Sequence, residues 1–127
     1  MEKQNIIELN IGIYRSIKLQ SNRMIAMTVA NRYPELASIK NEKDVDFEKM
    51  YAMSIYCLYK MANSLDEEFT YEKAKEIFEY ASHVKTIVNG EKQYCDIVLM
   101  GKVLSFLQEV FTKEKGEEVE TIEFSME

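Results

Sequence analysis

The side chains best able to do chemistry in this chain are His83, Cys57 and Cys95. His83 is the only histidine, and it follows Glu79 by four residues, which is the spacing of a side-chain pair on one face of a helix. A general base would need a nucleophile beside it, and neither cysteine lies in a recognisable nucleophile motif. A Cys-His hydrolase is therefore one hypothesis, and a surface pair of Glu79 and His83 is the one we expect.

The sequence supports a metal-binding or phosphate-binding site even less than a catalytic one. The carboxylates of Asp66, Glu67 and Glu68 can attract a cation, but they lack the spacing of a calcium loop, so we expect a solvated acidic loop. The glycines are isolated and form no loop that would cradle a phosphate. The two cysteines fit no metal spacing, and we expect both to be buried thiols. We predict a protein that is not an enzyme and holds no cofactor or metal.

Length and charge limit the possible partners. A chain of 127 residues predicts one domain, and its net charge of −6 argues against nucleic acid, which requires clustered Lys and Arg. Residues 1–40 hold six basic and three acidic side chains, a net of +3, so residues 41–127 carry −9. We expect a solvated charge distribution without a role, with head-to-tail association of identical subunits as the alternative.

The chain shows no targeting or membrane signal. It starts with the charged segment MEKQN and no apolar signal region follows, while the uncharged run from Met50 to Tyr59 is too short to span a bilayer. We therefore expect a cytoplasmic protein.

The segment VDFEKMYAMSIYCLYKMA, Val45 to Ala62, should be the central helix of the core. Apolar or aromatic side chains occur on almost every side of it, which is typical of a helix surrounded by protein. Asp44 or Asp46 is expected to cap its start. One side of this helix carries Phe47, Met50, Ser54, Leu58 and Met61.

The N-terminal segment predicts a β-hairpin. Ile7, Leu9, Ile11 and Ile13 alternate with polar residues, Gly12 to Arg15 provide a connection, and Ile17 and Leu19 mark a return strand, with a single bent strand as the alternative.

Three more helices are predicted around the central one. The first is capped by Ser21 or Asn22 and stops before Pro34. The next starts after Thr70 and carries an apolar stripe that runs from Tyr71 to Val88, with Asn89-Gly90 as its exit. A last helix after Asp96 shares an apolar face formed by Met100, Val103, Leu104, Leu107 and Phe111.

The expected fold is α+β and mainly α, with an N-terminal β-hairpin packed on a bundle of roughly four helices and an acidic C-terminal tail. Residues 1–116 should form one globular domain. Residues 117–127 contain five Glu and no basic residue, which favours a flexible tail. Ile122 and Phe124 nevertheless alternate with polar residues, as in a strand that is added to a partner.

Several apolar side chains are candidates for a protein-binding surface. Met53, Tyr56 and Tyr59 either contact the hairpin and the other helices or form an exposed patch on the central helix, and we expect the first. Met24 and Met27 on the first helix are further candidates, because methionine repacks easily against different partners.

The order of these elements resembles the tail assembly chaperones of long-tailed bacteriophages. ELNIGIYRSIKLQSNRMIAMTVANRYPEL, Glu8 to Leu36, is similar to that family's N-terminal strand, glycine turn, basic strand and first helix. DFEKMYAMSIYCLYKMANSLDEEFTYEKAKEIFE, Asp46 to Glu79, is similar to its helix, acidic loop and second amphipathic helix.

The resemblance implies a non-enzymatic, self-associating protein of the bacterial host cytoplasm. It would coat the tape measure protein and keep it soluble until tail-tube subunits replace it. Its candidate binding residues are Met24, Met27, Met53, Tyr56, Tyr59, Ile122 and Phe124. The alternative is a small acidic regulatory or inhibitory protein, from a phage or mobile element, that binds a basic host protein.

Overall fold

A computed structural model of the protein describes residues 5–34, 46–112 and 120–124. The elements in chain order are β1 (Asn5–Ile11), β2 (Tyr14–Ser21), α1 (Arg23–Arg32), α2 (Phe47–Asn63), α3 (Tyr71–Ser82), β3 (Lys85–Val88), β4 (Glu91–Tyr94), α4 (Cys95–Thr112) and β5 (Glu120–Glu123). The fold is α+β and mainly helical, and the predicted N-terminal hairpin precedes four helices in the described part of the chain.

The N-terminal hairpin buries one face of β1. Ile7, Leu9 and Ile11 are nearly inaccessible to solvent, as their alternation predicted. Gly12 has φ of +55°, a conformation that glycine adopts readily, and it begins the turn between β1 and β2. The prediction for Ile13 was wrong: it lies in this turn with Gly12 instead of continuing β1, and 75% of it is exposed.

A β-bulge interrupts the pairing of β1 with β2. Leu9 lies opposite Ile17 and Ile11 lies opposite Tyr14, so two residues of β2 face Asn10 alone. One of them, Ser16, has φ of +56°, and its amide donates a hydrogen bond of 2.8 Å to Oδ1 of the buried Asn10. The bulge therefore gives the buried amide side chain of Asn10 a hydrogen-bonding partner.

The helices form the core together with the hairpin. Both α2 and α4 contact β2, whereas α1 and α3 each pack against α2 and α4 and make no extensive contact with one another in the described part of the chain. Fully buried side chains come from every layer: Leu9, Ile11, Leu19, Val29, Met53, Leu58, Met61, Ile77, Phe78, Leu99, Val103 and Leu107. The predicted role of α2 as the central helix is consistent with its contacts to α1, α3, α4 and β2.

Short polar side chains begin the first and third helices as predicted. Oδ1 of Asn22 accepts a hydrogen bond from the amide of Ile25, and Oγ1 of Thr70 accepts one from the amide of Lys73. Each bond satisfies an amide that has no partner within the helix. Asp46 precedes α2 without a side-chain capping bond, although its carboxylate lies at the positive end of the helix dipole.

The predicted extent of the third helix was wrong. The helix ends at Ser82, and residues Lys85–Val88 form β3, which pairs antiparallel with β4. Asn89 and Gly90 both have positive φ, at 52° and 83°, as the tight turn of a two-residue hairpin requires. The β-branched run before Asn-Gly therefore forms a strand, because its side chains fit a pleated surface.

The acidic C-terminal segment contributes the third strand of the N-terminal sheet. β5 pairs parallel with β1, which gives the strand order β2-β1-β5, and Ile122 lies opposite Leu9. Residues 120–123 therefore form a strand, as the alternation predicted, but this strand pairs with β1 of the same chain and not with a partner protein. Phe124 is buried, with an exposed fraction of 6%. Residues 113–119 and 125–127 lie outside the described residues, and the division into 1–116 and 117–127 stays a prediction.

Candidate protein-binding surfaces

The residues that the sequence offered for catalysis differ in their exposure to solvent. His83 follows α3, and its Nε2 lies 3.2 Å from Oε1 of Glu79, with both side chains about three quarters exposed at 74% and 76%. Cys57 and Cys95 are both buried. The expected Glu79–His83 surface pair is therefore present.

Burial raises the pKa of the Cys57 thiol far above its ordinary value, and burial first, then Asp96, raises the pKa of Cys95. A thiol with a raised pKa in the folded state stabilises the protein below the ordinary pKa, and this contribution is lost as the pH rises and the unfolded chain ionises. Both cysteines are therefore poor nucleophiles at neutral pH in the folded protein.

Raising the pH from 7 to about one unit above the ordinary thiol pKa of ~8.5 should lower the free energy of unfolding. We expect ionisation of Cys57 in the unfolded chain to account for roughly 1 to 2 kcal/mol of this decrease. Urea unfolding at the two pH values measures this loss. In the Cys57→Ala variant, the free energy of unfolding should decrease less between the two pH values. An identical loss in that variant would show that Cys57 is not its source.

A polar link joins α2 to α4. The Tyr51 hydroxyl donates a hydrogen bond of 2.9 Å to Oδ2 of Asp96, while Oδ1 accepts one from the amide of Ile97. The helix begins at Cys95, so Asp96 lies in its first turn and not at the predicted cap. Burial, followed by the bond to Asp96, raises the pKa of Tyr51 well above its usual range. Because both ends of this link are satisfied within the fold, we assign it a structural role.

The predicted binding residues divide between core and surface. Met53 is 1% exposed and Phe124 is 6% exposed, so both belong to the core and neither offers a docking surface. Ile122 lies on β5, whose backbone pairs with β1. Tyr56 and Tyr59 are partly exposed, whereas Met24 and Met27 are largely exposed, at 78% and 62%. The candidates whose side chains the structure shows to be exposed or partly exposed are thus two methionines and two tyrosines.

Tyr56 and Tyr59 belong to a row of four rings that we call the tyrosine surface, formed by Tyr33, Tyr56, Tyr59 and Tyr71. Successive ring centroids lie 5.8, 6.1 and 5.9 Å apart, within the range of favourable aromatic pairs. The row crosses from the end of α1 over α2 to the start of α3. Each ring keeps part of its surface accessible to solvent, and Tyr71 is 38% exposed.

Cations stack along the whole tyrosine surface. The Arg32 guanidinium lies 4.9 Å from the Tyr33 ring centre, and the Lys60 ammonium lies 5.7 and 5.1 Å from the rings of Tyr56 and Tyr59. Cations over ring faces are attracted by the ring quadrupole and retain their charge for a partner. Rigid aromatic rings with basic groups beside them are typical of protein-binding hot spots.

The sequence did not indicate Tyr33 and Tyr71 as members of this surface. Tyr33 was expected only to end the first helix, and Tyr71 was assigned to the buried stripe of α3. Tyr71 occupies the first turn of α3, where the helix starts beyond the edge of the core. The high tyrosine content, eight in 127 residues, was the one available signal.

The exposed methionines define a second surface on α1. This methionine face consists of Met24 and Met27 with Arg23 and Asn31, all exposed; Met27 lies three residues after Met24, four after Arg23 and four before Asn31. The opposite side of α1 buries Ile25, Ala26 and Val29 in the core. No acidic residue occurs in α1, so the methionine face is apolar with a basic edge.

A third surface is an acidic groove of about 450 Å³ between α2 and α3. The residues of this glutamate groove are Tyr51, Ile55, Glu72, Lys75, Glu76, Phe78 and Glu79. Glu72, Glu76 and Glu79 repeat at helical spacing along one side, and among the described residues Lys75 is the only cation that lines the groove. Its floor is apolar, since Phe78 is fully buried and Ile55 is partly buried. The groove is large enough for side chains of a partner.

A basic cleft of about 400 Å³ lies where the hairpin meets the loop after α2. Arg15, Lys18 and Lys73 line it together with Asp66. Its apolar lining includes Leu65 and Ile13, both exposed. The Tyr14 hydroxyl closes one side by donating a 3.0 Å hydrogen bond to Glu76.

Among residues 5–34, 46–112 and 120–124, His, Cys, Asp and Glu side chains form no group of three that could hold a metal ion. In the same part of the chain, no helix has the length and apolar character needed to cross a membrane.

The fold and its surfaces define a small α+β protein, mainly helical, with exposed aromatic, methionine and acidic patches. Comparisons of this chain with protein-family models, curated proteins and solved structures gave no match.

Proposed function

We propose that this protein is a non-enzymatic, self-associating tail assembly chaperone of a long-tailed bacteriophage. It would act in the cytoplasm of the bacterial host, where it would bind the tape measure protein during tail morphogenesis. The proposal begins from the resemblance of residues 8–36 and 46–79 to that family. The observation that carries it is the tyrosine surface, which offers a partner helix a continuous row of partly exposed rings.

The chemistry of the tyrosine surface suits a long helical partner. Tyrosine provides a large contact area at a small cost in side-chain entropy, and its hydroxyl can bond to varied polar groups. Arg32, Lys60 and Lys75 lie over its rings and would attract acidic residues flanking an apolar stripe. A chaperone that coats many successive turns of one partner needs such tolerance of sequence more than a deep specific pocket.

Co-expression with a candidate tape measure protein tests this proposal. The long partner should stay soluble only when this protein is present. Because hot-spot truncations cost about 2 kcal/mol or more, the double variant Tyr56→Ala, Tyr59→Ala should weaken binding by at least about tenfold. Tyr94→Ala is the matched control, since Tyr94 is 52% exposed and also lies under a cation, Lys85, at 5.0 Å, but belongs to β4.

Solubility of the tape measure protein that does not depend on this chain would refute the chaperone function. Equal effects of the Tyr94 variant and the double variant would refute the role of the tyrosine surface.

The regulatory or inhibitory protein remains a second candidate because the glutamate groove offers three carboxylates around an apolar floor. A basic host protein would bind there, and its affinity would fall steeply with added salt. Affinity purification from host cells at low and high salt separates the two functions. A basic host protein lost at high salt supports the regulator, whereas recovery of the tape measure protein supports the chaperone.

A further inference from the structure

Two described surfaces of this protein are complementary in both charge and shape of side chain. The methionine face on α1 presents two exposed, unbranched apolar side chains beside Arg23. The glutamate groove presents an apolar floor with three carboxylates and one ammonium around it, a net charge of −2. The methionine face is an apolar ridge with a basic edge, and the glutamate groove is an apolar groove with an acidic rim. The two surfaces are therefore complementary.

The positions of the two surfaces prevent them from meeting within one molecule. The helix α1 carries the first and α3 lines the second, and each of these helices packs against both α2 and α4. In the described part of the chain α1 and α3 make no extensive contact with each other, so the complementary surfaces lie apart on the same molecule. Complementary surfaces at different places on identical subunits generate head-to-tail assemblies, either rings or open chains.

We propose that the glutamate groove of one copy receives the methionine face of α1 from a second copy. Met24 and Met27 insert over Ile55 and Phe78, and Arg23 pairs with the glutamates of α3. This inference rests on the self-association included in the proposed function and names the two surfaces that would produce it. The contact between any two copies is heterologous. An open assembly therefore has one free methionine face at one end and one free glutamate groove at the other.

The charge pattern favours a second copy as the occupant. Arg23 comes from the positively charged segment 1–40, whereas Glu72, Glu76 and Glu79 come from the negatively charged segment 41–127, so this contact joins opposite charges. Charged rims of this kind steer association and exclude like-charged surfaces, so two grooves or two methionine faces would repel one another. The apolar centre of the contact, made of methionines on a groove floor, can repack without strict geometry.

The experiment uses two variants of the full chain, each with one surface altered. The first, Arg23→Glu with Met27→Ser, changes only exposed side chains of α1. The second, Glu72→Lys with Glu79→Lys, changes exposed side chains of α3 and keeps Glu76, which bonds to Tyr14. The control is Ile87→Ser with Lys102→Glu, which removes an exposed apolar side chain and reverses one charge on β3 and α4, away from both surfaces.

Sedimentation velocity should show concentration-dependent assemblies for the natural sequence and for the control. Each surface variant alone should self-associate at least about tenfold more weakly, because like charges then face each other across the contact. An equimolar mixture of the two variants should associate more strongly than either variant alone, because the unaltered groove of the first variant and the unaltered methionine face of the second remain complementary.

A natural protein that stays monomeric over a wide concentration range would overturn the inference. Surface variants that assemble like the natural protein would also overturn it, and would leave the groove to a different partner. Co-expression with the tape measure protein is scored separately, so the chaperone function can stand or fall independently of this contact.

Discussion

Leu58→Ala is expected to lower the free energy of unfolding by about 2–5 kcal/mol. Leu58 is fully buried on α2, the helix that contacts α1, α3, α4 and β2, so no single neighbour can move to fill the space of the deleted atoms. The loss combines the transfer of apolar surface with the cavity that remains. Chemical denaturation monitored by far-ultraviolet circular dichroism, with an unchanged slope against denaturant, measures it.

Leu65→Ala is the matched control because it makes the same chemical change in the loop after α2. Leu65 is 41% exposed, so water already contacts much of its side chain and truncation leaves no closed cavity. We expect a change within about 0.5 kcal/mol, as for other surface substitutions. Comparable losses in the two variants would contradict the central position of α2.

Gly12→Ala should destabilise the protein by about 2–4 kcal/mol through two separate effects. Gly12 has φ of +55°, and an added Cβ in that conformation lies too close to the following carbonyl oxygen. The same Cβ would also lie 2.8 and 2.9 Å from ring atoms of Tyr80, closer than carbon atoms pack. Tyr80 packs edge-on against Tyr14, with ring centres 5.3 Å apart, so its displacement disturbs the contact between β2 and α3.

Gly90→Ala separates these two effects. Gly90 has φ of +83°, and a Cβ added there meets no atom within 4 Å among the described residues. Its loss should therefore be only the backbone contribution, about 1–2 kcal/mol. The difference between the two variants in urea unfolding gives the cost of displacing Tyr80. If the two losses agree, the Tyr80 ring accommodates the new methyl group without cost.

The β3–β4 hairpin shows where helical periodicity misled the sequence analysis. Val84 and Val88 continued the spacing of the apolar stripe in α3, so a helix through Val88 was the simplest interpretation. The Asn89-Gly90 pair fits both a helix exit and a two-residue hairpin turn, and the choice between them depends on whether the next residues can pair with the preceding ones. Residues Glu91–Tyr94 pair with β3, and the backbone bonds of this ladder decide in favour of the hairpin.

The surfaces were harder to predict than the core. Met53 lies on α2 near Tyr56 in sequence, yet Met53 is buried and Tyr56 is partly exposed, because α2 has neighbours on several sides and a single period cannot indicate which side remains open. The glutamate groove was not predicted for the same reason. Its glutamates and Phe78 belong to α3, but Ile55 belongs to α2, and only packing brings the two helices together.

Local patterns in the sequence by themselves determined the N-terminal hairpin, the cap Thr70, the choice of Ser21 or Asn22 as the first cap, and the presence of four helices. Turn residues, caps and apolar spacing act over a few neighbouring residues. Tertiary structure alone decided that β5 joins β1, that Phe124 is buried, and that four tyrosines from distant segments form one row. These features depend on contacts between residues far apart in the chain, whose energies are not encoded in any local pattern.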